Sequence, residues 1–219
     1  MFGCKYKTDI NAPSLHYLEL RGITLYDYSV NFSSSLVEAC ISGRCDFGLL
    51  KGISKAKHLT LNGDVMWSLH IIIRAHAFPT FHNLKKMVLH VGKPVNWEFL
   101  PNLLMCSPKL EALVVPEGLV VPKESGRHYY RFYWHRPESV AECLLLHLKT
   151  IEIFNFVGLP GELYLVSYLL ERAEVLDRMT IHSYDFSGRP RVRKKMESIR
   201  DEAFSFPIRS STCKLVFII

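Results

Sequence analysis

A six-residue spacing with apolar residues at its first, fourth and sixth positions recurs along the chain, and it constrains the fold more than any other feature. It is read at Leu15/Leu18/Leu20, Leu36/Ala39/Ile41, Ala56/Leu59/Leu61, Leu84/Met87/Leu89, Leu110/Leu113/Val115, Leu148/Ile151/Ile153 and Leu176/Met179/Ile181. A weaker eighth instance is expected at Cys213/Val216/Ile218. The starts of the first seven lie 21, 20, 28, 26, 38 and 28 residues apart. Self-similarity at such intervals marks a stacked repeat architecture, and the longest interval marks an insertion. Positions 4 and 6 are two apart, so on a strand both side chains point to one face while positions 3, 5 and 7 point to the other. Each strand is followed by a segment that returns the chain as a helix or irregular turn, so successive strands stack in parallel and their apolar faces merge into one core. The expected fold is α/β, a solenoid with a curved parallel sheet and helices on the convex side.

The returning segments carry their own signals. Asn96–Cys106 places Phe99, Leu100, Leu103 and Leu104 at helical spacing, with Pro101 tolerated near the start and Pro108 ending the segment. The clearest helix spans Pro160–Leu176: Pro160 suits the first turn and Glu162 sits near the positive end of the macrodipole. Leu163, Val166, Leu169, Leu170 and Ala173 fall on one face as a core stripe. Lys51–Leu69 is compatible with short turns and a single strand.

Three stretches resemble the plant F-box/FBD/leucine-rich-repeat proteins. Asp9-Ile-Asn-Ala-Pro-Ser-Leu-His-Tyr-Leu-Glu-Leu20 resembles a strand of that family's repeat region. Cys143–Ile153 followed by Gly158, Glu162-Leu163, Val166, Tyr168–Leu170, Ala173 and Val175–Ile181 is similar to the FBD motif. Phe206-Pro207 with Ser210–Phe217 resembles the family's closing strand. The resemblance implies a leucine-rich-repeat region over residues 1–140 and an FBD domain over 141–219 that closes the solenoid. It also implies a non-enzymatic module of the kind that binds substrate for a ubiquitin ligase. Members of the family begin with an F-box, a helical segment that docks onto an adaptor of a cullin-type ligase. Residue 1 falls within the repeat region, so a chain lacking the F-box is expected, and the adaptor is a partner only if an F-box lies upstream.

The partner expected from the repeat is a protein substrate or peptide on the concave, strand-lined face. Positions 3, 5 and 7 there include Tyr17, Glu19, Arg21, Glu38, His58, Thr60, Lys86, His90, Thr150, Glu152, Phe154, Arg178, Thr180 and His182. This mixed surface of both charges with a few aromatics suits a folded protein or peptide more than a polyanion.

Composition adds exclusions. With 48% hydrophobic, 12% aromatic and 22% charged residues among 219, the chain is an ordinary globular sequence. No cofactor or metal is expected: the six cysteines show no repeated pair spacing, and Cys40 and Cys45 lack a second pair to complete a tetrahedral site. The absence of an apolar leader points to reduced thiols in the cytoplasm or nucleus. The longest apolar stretches, around Ile71–Ile73 and Cys143–Leu148, fall well short of the roughly 20 residues that span a bilayer, so no membrane partner is expected.

The net charge of +6 is local. Residues 189–200 hold six Lys/Arg (Arg189, Arg191, Arg193, Lys194, Lys195 and Arg200) against Glu197, which leaves the other residues close to neutral. Met196, Ile199, Ala203 and Phe204 continue this cluster as a helical stripe, so it reads as a solvated helix face. A nuclear-import signal, a nucleic-acid patch or a docking site for an acidic groove are the alternatives. The insertion Pro122–Val140 holds Arg127–Arg136, where rings alternate with Arg and His. Such interleaving can stack single-stranded nucleic acid; the plainer reading is a loop folding its rings onto the repeat edge. No phosphate-binding Gly loop, His-Glu-x-x-His or Gly-x-Ser-x-Gly is present, so no catalytic residue is assigned and no enzyme is expected. Two other readings stay open: a truncated remnant without a ligase role, and an RNA- or phospholipid-binding adaptor working through the basic helix and the aromatic insertion.

Overall fold

The computed structural model describes residues 8–22, 28–32, 35–43, 45–63, 65, 66, 68, 69, 72, 78–92, 97–121, 134–184 and 190–219. The strands are β1 (Thr8–Ala12), β2 (Tyr17–Gly22), β3 (Tyr28–Phe32), β4 (Glu38–Gly43), β5 (His58–Asn62), β6 (Lys86–His90), β7 (Ala112–Val115), β8 (Thr150–Phe156), β9 (Arg178–Ser183) and β10 (Lys214–Ile218). Eight of them form one parallel sheet in the order β10-β9-β8-β7-β6-β5-β4-β2, so neighbours in sequence are neighbours in space.

The repeat spacing sets the register. Leu18, Ala39, Leu59, Met87, Leu113, Ile151 and Met179, all at position 4, pair across seven strands as one continuous row. Position 6 forms a second row, with Leu20, Ile41, Leu61 and Leu89 paired in sequence and Val115, Ile153 and Ile181 paired beyond them. From the second repeat to the seventh, positions 1, 4 and 6 are buried in a single core. Burying each Leu or Ile there stabilises the fold by roughly 1.5–3 kcal/mol.

The parallel sheet continues one residue beyond the strands at their N-terminal ends. The carbonyl of position 2 in one repeat accepts N–H bonds from positions 2 and 3 of the next. His16 accepts from Val37 and Glu38 at 2.8 and 3.0 Å, Val37 from Lys57 and His58 at 2.8 and 3.0 Å, and Lys57 from Lys85 and Lys86 at 2.7 and 3.1 Å. Lys85 then serves Glu111 and Ala112, Glu111 serves Lys149 and Thr150, and Lys149 serves Asp177 and Arg178. One oxygen with two lone pairs thereby satisfies two donors that would otherwise end unpaired.

The return segments lie on the core side. Helix α1 (Phe47–Gly52) is N-capped by Asp46, whose Oδ1 accepts from Leu49 N–H at 2.7 Å. The segment expected to be helical around Asn96–Cys106 opens as a 3₁₀ turn (Trp97–Phe99) and continues as α2 (Leu100–Met105), with Pro101 in its first turn. Helix α3 (Glu142–Leu146) precedes β8. Helix α4 (Pro160–Arg172) buries the expected stripe but ends four residues before Leu176, because Ala173 is extended (ψ 107°) and redirects the chain toward β9. Helix α5 (Pro190–Phe204) buries Met196, Ile199 and Ala203; Phe204 is 51% exposed and does not belong to that stripe.

Other expectations need correction. The stretch Asp9–Leu20 is not one strand: a turn at Pro13-Ser14 divides it into β1 and β2, and β1 pairs with β3 in a separate parallel two-stranded sheet. The first repeat thus returns through a strand, β3, while the second returns through α1. The sheet is open, with β2 and β10 as its edges, and is not closed at its C-terminal end. The last repeat is displaced by one residue from Cys213/Val216/Ile218: Leu215 pairs with Met179 and Phe217 with Ile181. Leu215 and Phe217 pack on the core and Ile218 is exposed. Its position 1 is Thr212, so the apolar pattern that locates the other repeats is missing there.

Between Ile153 and Phe156 the register of β8 against β9 shifts by one residue, with Ile153 opposite Ile181 and Phe156 opposite Ser183. Asn155 takes up the extra residue at φ 49°. A short polar side chain tolerates this left-handed conformation where a β-branched one would not. The bulge reverses the strand's alternation: Phe154 stays on the side away from the core and Phe156 is fully buried, edge-on to Phe217 with ring centroids 6.1 Å apart.

Candidate protein-binding face

Parallel sheets are ordinarily covered on both faces. Here the strands alternate, with positions 4 and 6 buried and positions 3, 5 and 7 partly or fully exposed, so one face is left without a helical layer among the described residues. Strand pairing arranges that face as a grid. Position 3 runs Tyr17, Glu38, His58, Lys86, Ala112, Thr150, Arg178, Lys214. Position 5 runs Glu19, Cys40, Thr60, Val88, Val114, Glu152, Thr180, Val216. At position 7, Arg21, Ser42, Asn62 and His90 pair in sequence, and His182 pairs with Ile218.

All the residues expected on this face stand on it, from Tyr17, Glu19 and Arg21 at one end, through Glu38, His58, Thr60, Lys86 and His90, to Thr150, Glu152, Phe154, Arg178, Thr180 and His182 at the other. Cys40, Ser42, Asn62, Val88, Ala112 and Val114 occupy the same positions in the middle strands, beside the residues named from the sequence. Applying the positional rule to every repeat, apolar residues included, would have found them. Lys214, Val216 and Ile218 were hidden by the one-residue displacement of the last repeat.

The two ends are held by local polar contacts. Arg21 Nε donates to Glu19 Oε1 at 2.6 Å and the Tyr17 hydroxyl donates to Glu19 Oε2 at 3.2 Å. The Arg21 hydrogen bond holds the Glu19 carboxyl below the usual carboxylate range. At the far end His182 Nε2 lies 3.2 Å from Glu152 Oε1, and the imidazole stacks on Phe154. His90 Nδ1 lies 3.2 Å from Glu117.

The centre is different. Val88, Ala112 and Val114 are partly exposed and adjoin one another across β6 and β7. Asn62 Nδ2 donates to Cys40 Sγ at 3.6 Å, and its Oδ1 is buried without a hydrogen-bond partner among the described residues. Burial is the main cause that pushes the Cys40 thiol up, so it remains a neutral thiol and a poor nucleophile at neutral pH. Val88, Ala112 and Val114 thus lie between the polar contacts of β2 and those of β8 and β9, with Val216 and the exposed Ile218 beyond them on the edge strand β10.

The remaining candidates separate. Residues 122–133 of the aromatic insertion lie outside the described residues. Trp134 is buried, edge-on to Tyr164 at 5.3 Å and tilted against Tyr168 at 5.0 Å, so its ring packs on α4 rather than presenting itself to a base. Arg136 donates to Glu171 at 2.8 Å and lies over both Tyr rings at 5.7 Å. On α5, Arg193, Lys194 and Lys195 are exposed, and Arg193 pairs with Glu197 one turn on. Among the described residues no cluster of three or more His, Cys, Asp or Glu could hold a metal ion, and no helix is long and apolar enough to cross a membrane.

Comparison with known proteins gives two findings. The family model described as FBD matches residues 136–181. An FBD-associated F-box protein of Arabidopsis thaliana is 32% identical over 96% of this chain and 47% of its own length, and an F-box/FBD/LRR-repeat protein of the same plant is 29% identical over 95% and 47%. The chain thus spans about half the length of the curated relatives it matches. No solved structure matches it.

Proposed function

We propose, for a chain that belongs to the plant F-box/FBD/leucine-rich-repeat family, that it is a non-enzymatic protein-recognition module. Its fold is a leucine-rich-repeat solenoid, with residues 1–140 as the repeat region and 141–219 as the FBD part. The helix-free sheet face is the concave surface, and it receives a protein substrate or an extended peptide. The observation that supports this best is the partly exposed Val88–Ala112–Val114 centre, framed by the polar ends at Glu19/Arg21 and Glu152/His182. Binding energy concentrates near the middle of a patch, where groups become fully desolvated on binding, while the charged rim contributes steering and register.

Its relatives are named as F-box proteins, and on that ground the bound protein is a substrate delivered to a cullin-type ubiquitin ligase in the cytoplasm or nucleus. The test is co-purification from plant extract with the chain and with a Val88→Lys/Val114→Lys variant whose circular dichroism matches it. Proteins retained by the native chain and lost by the variant are the expected result. Identical retained sets would sink the proposal.

A further inference from the structure

Charges scattered in the sequence gather along one border of the sheet. Positions 2 and 3 of the last six repeats place Lys57 and His58 at the entrance to β5, Lys85 and Lys86 at the entrance to β6, Lys149 just before β8, and Arg178 and Lys214 at the first residues of β9 and β10, all exposed at the N-terminal rim. The acids at those positions are Glu111 and Asp177, and each is already engaged. Glu111 accepts from Lys85 Nζ at 2.7 Å, and Asp177 Oδ1 accepts from the Thr212 hydroxyl at 3.4 Å. The Lys85 hydrogen bond, helped by Lys149 and His147, holds the Glu111 carboxyl below its usual range. One carboxylate thus serves several cations. Lys57, Lys86, Arg178 and Lys214 have no ion pair among the described residues.

We infer that this rim is the docking site for an acidic, extended segment of a partner protein, lying across the strands next to the apolar centre. The inference rests on the recognition reading above and names the chemistry of what is recognised. Strands about 4.8 Å apart put β5 and β10 about 24 Å from each other, which an extended segment of about seven or eight residues spans. In a polyproline-II-like extended segment, with three residues per turn and about 3.1 Å rise, carboxylates on every third residue share one side about 9 Å apart and meet the cations of alternate strands. A polyanion without an extended peptide backbone would gain the charge contacts and forgo the adjoining Val88 and Val114 surface.

The experiment measures binding of a fluorescein-labelled octapeptide with Glu at every third position and Val or Ser between, by anisotropy, at about 50 and about 200 mM salt. Three chains are compared: the native one, a rim variant (Lys57→Glu/Lys86→Glu/Arg178→Glu) and a helix variant (Arg193→Glu/Lys194→Glu/Lys195→Glu). The native chain should bind with marked salt dependence, the rim variant should lose about tenfold or more, and the helix variant should stay within about twofold. Equal losses in both variants, or no binding by the native chain, overturn the inference. Should the rim variant fail to fold, amide shift mapping on the native chain decides: perturbations at the starts of β5–β10 support the rim, and perturbations on α5 overturn it. Tighter binding of an oligouridylate than of the octapeptide would also overturn it, in favour of nucleic acid. Loss of the acidic site with a Val88/Val114-dependent partner retained would leave the recognition reading standing alone.

Discussion

Phe154 and His182 stack with ring centroids 4.1 Å apart and planes 6° from parallel, tying β8 to β9 on the face away from the core. The stack lies beside the bulge, where Phe154 keeps its outward place and Asn155 at φ 49° sends the next ring, Phe156, inward. Asn155→Val should cost about 1–2 kcal/mol, because a β-branched residue is strained in the left-handed region, whereas Asn155→Gly should stay within about 0.5 kcal/mol. Urea unfolding of the two variants checks this. Equal losses would mean that the side chain, not the backbone conformation, holds the bulge.

Trp134 is a large buried ring whose indole N–H has no hydrogen-bond partner among the described residues. Trp134→Ala should destabilise by about 3–5 kcal/mol through the cavity left against Tyr164 and Tyr168. Trp134→Phe should lose much less, since it keeps most of the ring contact and removes an unsatisfied donor. Thermal and urea unfolding of the pair supply the measurement; a Phe variant as unstable as the Ala variant would contradict this account.

Glu162 is fully buried at the start of α4, where its Oε2 accepts from Leu159 N–H at 2.8 Å while Oε1 has no hydrogen-bond partner among the described residues. Burial, opposed by the neighbouring backbone N–H groups, pushes its carboxyl up to about 7 from 4.5. The folded carboxyl keeps its proton after the unfolded one has lost it, so its contribution is fully present below pH 4.5 and declines as pH rises to about 7. Glu162→Gln keeps the capping bond and removes the titration. The urea midpoint of the native chain should therefore fall across this interval relative to that of the variant. A difference that does not change with pH would show that Glu162 ionises normally.

The displaced last repeat has a direct test. Leu215→Ala and Phe217→Ala should each cost about 2–3 kcal/mol, because both side chains pack on the core. Ile218→Ala should cost under about 0.5 kcal/mol, since Ile218 is an exposed edge residue. The opposite order would restore the register expected from Cys213, Val216 and Ile218.

Seven of the eight strands in the main sheet were legible because three apolar positions repeat with fixed internal spacing, and period-two alternation leaves little freedom once one face is buried. The eighth slipped because Thr212 stands where an apolar residue marks the other repeats, and Cys213 beside it offered a false start. The pairing of β1 with β3 left no trace in the pattern, since it joins short segments on the core side that do not share the six-residue spacing. On the exposed face, Val88, Ala112 and Val114 carry no charge or ring that would mark them in a linear sequence. Their meaning comes from adjacency across strands, which a linear reading does not display. The same holds for the rim, where Lys57, Lys86, Arg178 and Lys214 are far apart in sequence and aligned only by pairing.

The shared carbonyls at the strand entrances act as a gauge. Each junction is fixed by one oxygen and two amides, whatever the length of chain between them, so the pitch of the exposed face is independent of the connecting segments. The 38-residue interval between the fifth and sixth repeats leaves Glu111 bonded to Lys149 and Thr150 just as shorter intervals leave Lys57 bonded to Lys85 and Lys86. Connecting segments can therefore be lengthened, trimmed or replaced while the lateral distances between neighbouring residues of the exposed face stay constant. Under the proposed recognition role, a change of partner is a matter of exchanging side chains on a fixed template.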